Sequence, residues 1–356
     1  MFLNYYGLRE QPFGVTPDPR FLYLSAAHRE ALASLVYGIE TNRGFLGLIA
    51  KPGMGKTTLL FHLLERFRGA ARTAFLFQTQ CNSREFMRFL LAELGYGTDD
   101  TDFVRMHEEF NKRLLQEARA GNRFIVVIDE AQNLDPTVLE TVRLLSDFET
   151  PRAKLMQIIL AGQPELANKL ATPGLAQLRQ RISIVNGLEP LGAEETSSYI
   201  QHRLRVAGCK DKFPFSADAI EKISQFTEGI PRNINNFCFN AMSLACAMKK
   251  EFVDLAIVDE VMHDLDINRH VSHTGIDAAF NAGLPPVYED AQFAFPKLPM
   301  ESVMGGNGSN GNGATLTPAE ARAYMQKVVS QLKSYTQALE RVASGLSEPA
   351  APNRRM

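Results

Sequence analysis

Apolar residues fall along this chain in two rhythms. Short continuous runs occur at Phe45–Ala50, Phe124–Ile128 and Ile158–Ala161. Elsewhere the apolar positions recur every three or four residues. Continuous runs predict strands buried on both faces, as in the interior of a parallel sheet; the spaced pattern predicts amphipathic helices packed on that sheet. Strands are expected over Phe45–Ala50, Thr73–Gln80, Arg123–Ile128, Met156–Gln163 and Ile182–Asn186. Helices are expected over Ala26–Glu40 with Ser25 as cap, from Lys56 through Phe67, and over Arg84–Leu94, Phe103–Ala120, Pro136–Phe148 and Leu175–Arg181. The inner side of the first should carry His28, Leu32, Leu35, Val36 and Ile39. From Gly192 the strands stop, and helical spacing alone fills Ala193–Val206, Ala217–Phe226, Asn233–Lys249 and Ala256–Leu265. The expected organisation is an α/β domain over 1–191 with an N-terminal arm, then a helical domain over 192–270.

Both ends break these rhythms. Residues 5–24 contain three prolines and two glycines, which forbid a regular element, yet their aromatic residues must pack on something. Lying across a nucleotide base and forming a packed arm are equally compatible with that spacing. Residues 271–316 hold scattered prolines and the tract Gly305–Gly313, a composition expected of a flexible linker. After Thr317-Pro318 the residues Met325, Val328, Val329, Leu332, Tyr335, Leu339 and Val342 predict an amphipathic helix over 317–345. That helix is too short to build its own core, so it calls for a partner: a second copy, the rest of the chain or another protein.

Composition narrows the class. With 45% hydrophobic and 22% charged residues, the 356-residue chain is globular and long enough for more than one domain. The net charge of −2 supplies no global basic field for nucleic acid. No run approaches the ~18 apolar residues of a membrane span, and the N-terminus lacks the features of a signal peptide. The chain is therefore expected in the cytoplasm, with peripheral recruitment to the inner membrane still open. Cys81, Cys209, Cys238 and Cys246 lack metal-binding spacing and read as reduced core thiols.

The chemistry concentrates behind the first strand. Pro52-Gly53-Met54-Gly55-Lys56-Thr57-Thr58 joins that strand to a helix, the context in which backbone N–H groups and a helix N-terminus cradle phosphate. Lys56 would reach the β- and γ-phosphates of ATP, and the Thr57 hydroxyl would hold Mg²⁺. Ala50 stands where G-x-x-x-x-G-K-[ST] has its first glycine; a small residue there still fits beside the phosphates. The third strand, read as central, ends in Asp129-Glu130 at the carboxyl edge where α/β sheets place ligands. Asp129 suits the Mg²⁺ shell and Glu130 suits orientation of a hydrolytic water. Gln163 has two readings, contact with the γ-phosphate or water and capping of the helix that Pro164 begins. Arg179 and Arg181 precede the edge strand, and either is a candidate finger for a neighbouring subunit's site. Arg232 lies in a helix's first turn against the dipole, so a phosphate or a surface ion pair would account for it.

Taken together, Gly7–Phe13, Thr16–Tyr23, His28–Leu32, Tyr37–Ile39, the phosphate loop, Asp129–Gln132, Leu160–Leu166, Gln180–Ile182 and Gly229–Asn235 resemble the ExeA/GspA-type AAA+ secretion ATPases. The resemblance covers about residues 2–267. It implies a five-stranded parallel α/β sheet followed by a helical lid, with Gln163 as sensor 1, Arg181 as arginine finger and Arg232 as sensor 2. It also puts the base near Pro12, Phe13 and the helix containing His28. Beyond residue 270 neither the membrane span nor the peptidoglycan-binding domain of the founding members follows. The layout is closer to shorter relatives of exopolysaccharide, exosortase and pilus loci.

Three functions compete. The first is an oligomeric ATP-hydrolysing motor or switch serving a cell-envelope secretion or polysaccharide export machine. The second is a DNA-bound ATPase like the related transposition regulators, for which Arg143, Arg152 and Lys154 occupy the appropriate segment. The third is a nucleotide-dependent scaffold, assembled through residues 317–345, that hydrolyses ATP negligibly.

Overall fold

The continuous apolar runs do become interior strands. In the computed structural model, which describes residues 2–77, 80–96, 102–150, 153–210 and 213–272, β1 (Phe45–Ile49), β2 (Ala71–Leu76), β3 (Arg123–Ile128), β4 (Gln157–Gly162) and β5 (Ile182–Gly187) form one parallel sheet in the order β2-β3-β4-β1-β5. The centre is β4, buried along its whole length, and β3 lies beside it rather than at the middle. β5 is an edge strand, and its alternating burial explains why it shows the weakest apolar run.

Register sets the functional edge. Ile49 pairs with Gly162, and Ile128 with Leu160, so the residues that follow β1, β3 and β4 emerge together at the carboxyl end. Those residues are the phosphate loop, Asp129 and Gln163.

Helices cover both faces of the sheet. α1 (Ala26–Glu40) and α2 (Lys56–Arg66) pack Leu35, Ile39, Leu59 and Leu63 against Leu46, Leu48, Val127 and Ile159. On the other face lie α3 (Ser83–Glu93), α4 (Phe103–Arg119), α5 (Pro136–Leu145), α6 (Pro164–Leu170) and α7 (Ala176–Arg181), whose Phe86, Phe110, Leu139 and Leu178 meet Phe124, Val126 and Ile158. Ser25 caps α1 as expected, although Leu32 is only half-buried. Asn82 and Glu85 close a capping box on α3.

Several boundaries move. β2 starts at Ala71 and stops at Leu76, leaving Phe77 exposed. α5 stops at Leu145, where the Ser146 hydroxyl turns back to the Arg143 carbonyl. After it, Glu149–Thr150 and Ala153–Lys154 pair antiparallel, too briefly to leave a periodic signal. The arm is not wholly irregular: Asp18 accepts the Arg20 N–H (2.9 Å) and caps a 3₁₀ turn over Pro19–Phe21. Of the four cysteines only Cys238 is fully buried; no disulfide joins them.

The described chain forms two compact units that divide at Phe239/Asn240, inside α10 (Pro231–Ala247). α8 (Ala193–Val206) and α9 (Ala217–Phe226) therefore belong to the unit of the sheet. Backbone bonds tie them there. The Arg9 N–H donates to the Ala207 carbonyl (2.8 Å), Leu191 to Gly229 (2.9 Å) and Arg232 to Gly53 (3.1 Å). The second unit carries the remainder of α10 and α11 (Leu255–Ser272), whose start is capped by Asp254 through the Ile257 N–H (3.1 Å). The expected linker and terminal helix, from residue 273 on, lie outside the described residues.

Candidate functional site

Gly53 and Gly55 adopt φ of +82° and +86°, which bends the chain from β1 into α2 within a few residues. Gly53 is required for a second reason. A Cβ there would lie 2.7 Å from the Cβ of Arg232, whose backbone N–H bonds the Gly53 carbonyl. No side chain caps α2, so its first-turn N–H groups have no side-chain acceptor. Lys56 is almost fully buried, and its ammonium folds back to the Ala50 carbonyl (3.1 Å). Ala50, in place of a glycine, is itself buried and donates its N–H to Gly162.

At the tip of β3, Asp129 is 2% exposed. Its Oδ2 accepts from the Thr57 hydroxyl (2.6 Å) and its Oδ1 from the Glu130 N–H (2.9 Å). Burial raises its pKa; the Thr57 and Glu130 bonds only partly offset that. Glu130 sits in the left-handed region with φ +50°, rare for a residue with a Cβ. Its Oε2 accepts the side-chain amides of Gln132 and Gln163, the latter at 3.0 Å. Burial pushes the Glu130 pKa up, but those amides and the charges of Lys56 and Arg232 together bring it below the usual value.

Gln163 occupies the position that precedes α6. Its side chain does not cap α6; it reaches Glu130 instead. Arg232, in the first turn of α10, lines the same cleft of about 230 Å³, as do Pro52, Met54 and Thr58. His28 steadies the loop from α1. Its Nε2–H donates to the Met54 carbonyl (3.1 Å) and its Nδ1 accepts from the Ser25 hydroxyl (2.7 Å), with burial lowering its pKa toward the neutral ring.

Pro12, Phe13 and Arg181, all expected at the site, do not line the cleft. Phe13 is 2% exposed and packs edge-on against Phe215, while the Pro12 carbonyl accepts from the Arg203 guanidinium. The arm's contribution to the cleft begins at Gly14 and runs to Asp18, just beyond the aromatic residue that anchors it. Arg181 is outside the cleft and bonded at the end of α5, whereas Arg179 is exposed.

Gln132 and a polar chain from the helical segment were not expected. Arg203 Nη1 donates to the Tyr199 hydroxyl (3.0 Å), which donates to Asn235 Oδ1 (2.8 Å), and the guanidinium stacks 4.9 Å from the Phe21 ring. All three polar residues line the cleft. The four-residue spacing of Tyr199 and Arg203 was a visible signal, because it puts both on one face of a helix.

Two of the three residues named for DNA contact are engaged within the chain. Arg143 is buried and paired with Glu140 (2.8 Å), and Lys154 pairs with Glu149. Arg152 lies outside the described residues. Among those described, no helix is long and apolar enough to cross a membrane.

Comparison with known proteins agrees with this architecture. A family profile described as an AAA domain matches residues 39–170. General secretion pathway protein A of Aeromonas hydrophila is 38% identical over 248 residues, covering 69% of this chain and 45% of the relative. The chain thus spans about half the length of that relative. The ORC2 protein of Aeropyrum pernix, solved in ADPNP and ADP complexes, superposes with a TM-score of 0.56 at 15% identity, covering 71% of each chain. Drosophila ORC bound to DNA gives a TM-score of 0.56 at 15% identity over 80% of each chain. At such identity these two structures establish the shared fold and nothing more.

Proposed function

Because the chain belongs to the AAA+ ATPase family, we propose that it binds ATP with Mg²⁺ in the cleft and hydrolyses it, driving assembly or operation of a cell-envelope secretion or polysaccharide export machine. The observation that carries the reading is the convergence of Lys56, Thr57, Asp129 and Glu130 at one sheet edge, tied by the Thr57–Asp129 bond. The donor set suits Mg²⁺. A deeply buried carboxylate beside a hydroxyl offers hard oxygen ligands, and Mg²⁺ needs few from the protein because phosphate and water supply the rest. Once bound, the ion would neutralise charge developing on the phosphates.

The chain's own residues divide the remaining work. The amides of the 52–58 loop hold phosphate oxygens, and Lys56 turns its ammonium from Ala50 toward them. Glu130, ionised and fixed in place, accepts a hydrogen bond from water and aims it, with Gln163 alongside. Arg232 contributes positive charge from α10, and Arg181 completes the site of a neighbouring subunit in a homo-oligomer. The resemblance to general secretion pathway protein A supports a partner in a secretion machine; action in the cytoplasm or at the inner membrane is part of the same proposal. The engagement of Arg143 and Lys154 within the chain gives the DNA reading no support.

Two measurements test this function. ATP with Mg²⁺ should raise the melting temperature; at a hundredfold excess over Kd, linkage contributes ~2.7 kcal/mol. Lys56→Ala should remove that shift. Glu130→Gln should keep it while losing steady-state phosphate release. A full shift in Lys56→Ala, or normal turnover in Glu130→Gln, would sink the assignment.

A further inference from the structure

Gln132 sits in the 3₁₀ turn Ala131–Asn133, immediately beyond the two carboxylates. Both ends of its side-chain amide are used. Nε2 donates to Glu130 Oε2, and Oε1 accepts the backbone N–H of Gln163 (3.1 Å), the residue that follows β4. Gln163 adds its own amide to the same Glu130 oxygen (3.0 Å), so the three residues close a ring of hydrogen bonds between the tips of β3 and β4. Both donors converge on Oε2, which leaves Oε1 to accept another. The Lys169 ammonium fixes the backbone of this turn by bonding the carbonyls of Gln132 and Leu134. Gly162 gives the ring its space, since a Cβ there would lie 2.7 Å from Gln132 Oε1.

We propose that Gln132 is the positioning residue of the hydrolytic centre: it clamps Glu130 to the tip of β4 so that one carboxylate oxygen stays aimed at the reacting water. This rests on the hydrolytic reading of Glu130 given above. The clamp explains how Glu130 holds a left-handed backbone, which would otherwise relax, and why an amide suits position 132. A glutamate there would keep the acceptor for Gln163 but lose the donor and set a like charge against Glu130. An aliphatic side chain would lose both contacts.

The test uses the full chain and five proteins: wild type, Glu130→Gln, Gln132→Met, Gly162→Ala and the double variant of the last two. Gln132→Met keeps the side-chain length and removes both the donor to Glu130 and the acceptor for the Gln163 N–H. Its kcat should fall roughly ten- to hundredfold, the effect of losing one charge-assisted hydrogen bond. KM for ATP and the ATP-induced melting shift should stay at wild-type values. That split, a lowered kcat with an unchanged KM and melting shift, is what a positioning role gives and a general loss of folding does not. Gly162→Ala displaces the same amide by another route and should show the same split, and the double variant should be no worse than either single one. Unchanged kcat in Gln132→Met, or a lowered kcat accompanied by a raised KM or a lost ATP-induced melting shift, overturns the proposal and leaves Gln132 a merely structural residue. Should Gln132→Met fail to fold, the same readings on Gly162→Ala decide. Full turnover in Glu130→Gln removes the hydrolytic reading itself, and that result is distinct from every outcome at position 132.

Discussion

Arg181 and Asp147 form an ion pair that joins the end of α7 to the end of α5, with Nη1 of the arginine also donating to Ser146 Oγ (2.9 Å) and the Arg143 carbonyl (3.2 Å). One guanidinium nitrogen thus serves as an anchor. Such a partly exposed pair contributes ~0–1 kcal/mol to stability, whereas an arginine finger contributes roughly 10³–10⁵ in turnover. These magnitudes separate a structural arginine from a catalytic one. Asp147→Ala and Arg181→Ala should lower stability alike and slightly, read as denaturant midpoints. Only Arg181→Ala should abolish phosphate release. Near-normal release in that variant would return the finger role to Arg179.

A finger acting between subunits makes a second demand. Arg181→Ala retains Asp129 and Glu130, while Glu130→Gln retains Arg181. Each alone should be inactive. Mixed, and shown by crosslinking to co-assemble, they should recover part of the wild-type phosphate release at shared interfaces. Co-assembly without recovery would confine Arg181 to its own subunit.

Gly229 closes the turn between α9 and α10 at φ +64°, and its carbonyl accepts the Leu191 N–H (2.9 Å). A Cβ there would lie 2.0 Å from the Leu191 carbonyl oxygen, a backbone atom that cannot step aside. Gly229→Ala should therefore lower the unfolding free energy by more than the ~1 kcal/mol of a left-handed alanine alone. It should also weaken ATP binding, because the same turn delivers Arg232 to the loop. A wild-type denaturation midpoint would show that the turn is not held so tightly.

These positions show what the sequence discloses and what it withholds. β1, β3 and β4 were legible because burial on both faces demands unbroken apolar runs, and the phosphate loop because its glycines and Lys56-Thr57 serve local geometry. Asp129 and Glu130 were legible for the same reason, as two carboxylates at the end of such a run. Gln132 was not, since its role depends on which strand lies beside β3, and no local spacing encodes that neighbour. Phe13 misled in the opposite direction. An aromatic residue near a binding loop suggests stacking on a base, but here its rings are spent on Phe215 and the next five residues form the wall. The division at Phe239/Asn240 was hidden as well, because a helix can continue without interruption from one compact unit into the next.

Asp129 supplies the last prediction, through its titration. Burial raises its pKa above the 3.8 of a free aspartate, so the folded chain holds this proton more tightly than the unfolded chain does. The sign follows from linkage. Between the unfolded and folded pKa values the native state binds more protons, so this group's contribution to stability falls as pH rises through that window. At neutral pH the ionised Asp129 therefore destabilises the protein in the absence of nucleotide. Asp129→Asn keeps the shape and an acceptor for Thr57 while removing the charge. It should melt at a higher temperature than wild type at pH 7 without ligand, and the difference should shrink as the pH is lowered and wild-type Asp129 takes up its proton. In the presence of ATP the order should reverse, because the wild type gains a Mg²⁺-dependent shift that the variant lacks. Thermal melts with and without Mg²⁺-ATP at two pH values read both effects. A variant that melts below wild type without ligand would mean that Thr57 and the Glu130 N–H already compensate the buried charge. A variant that keeps the Mg²⁺-dependent shift would remove Asp129 from the metal shell.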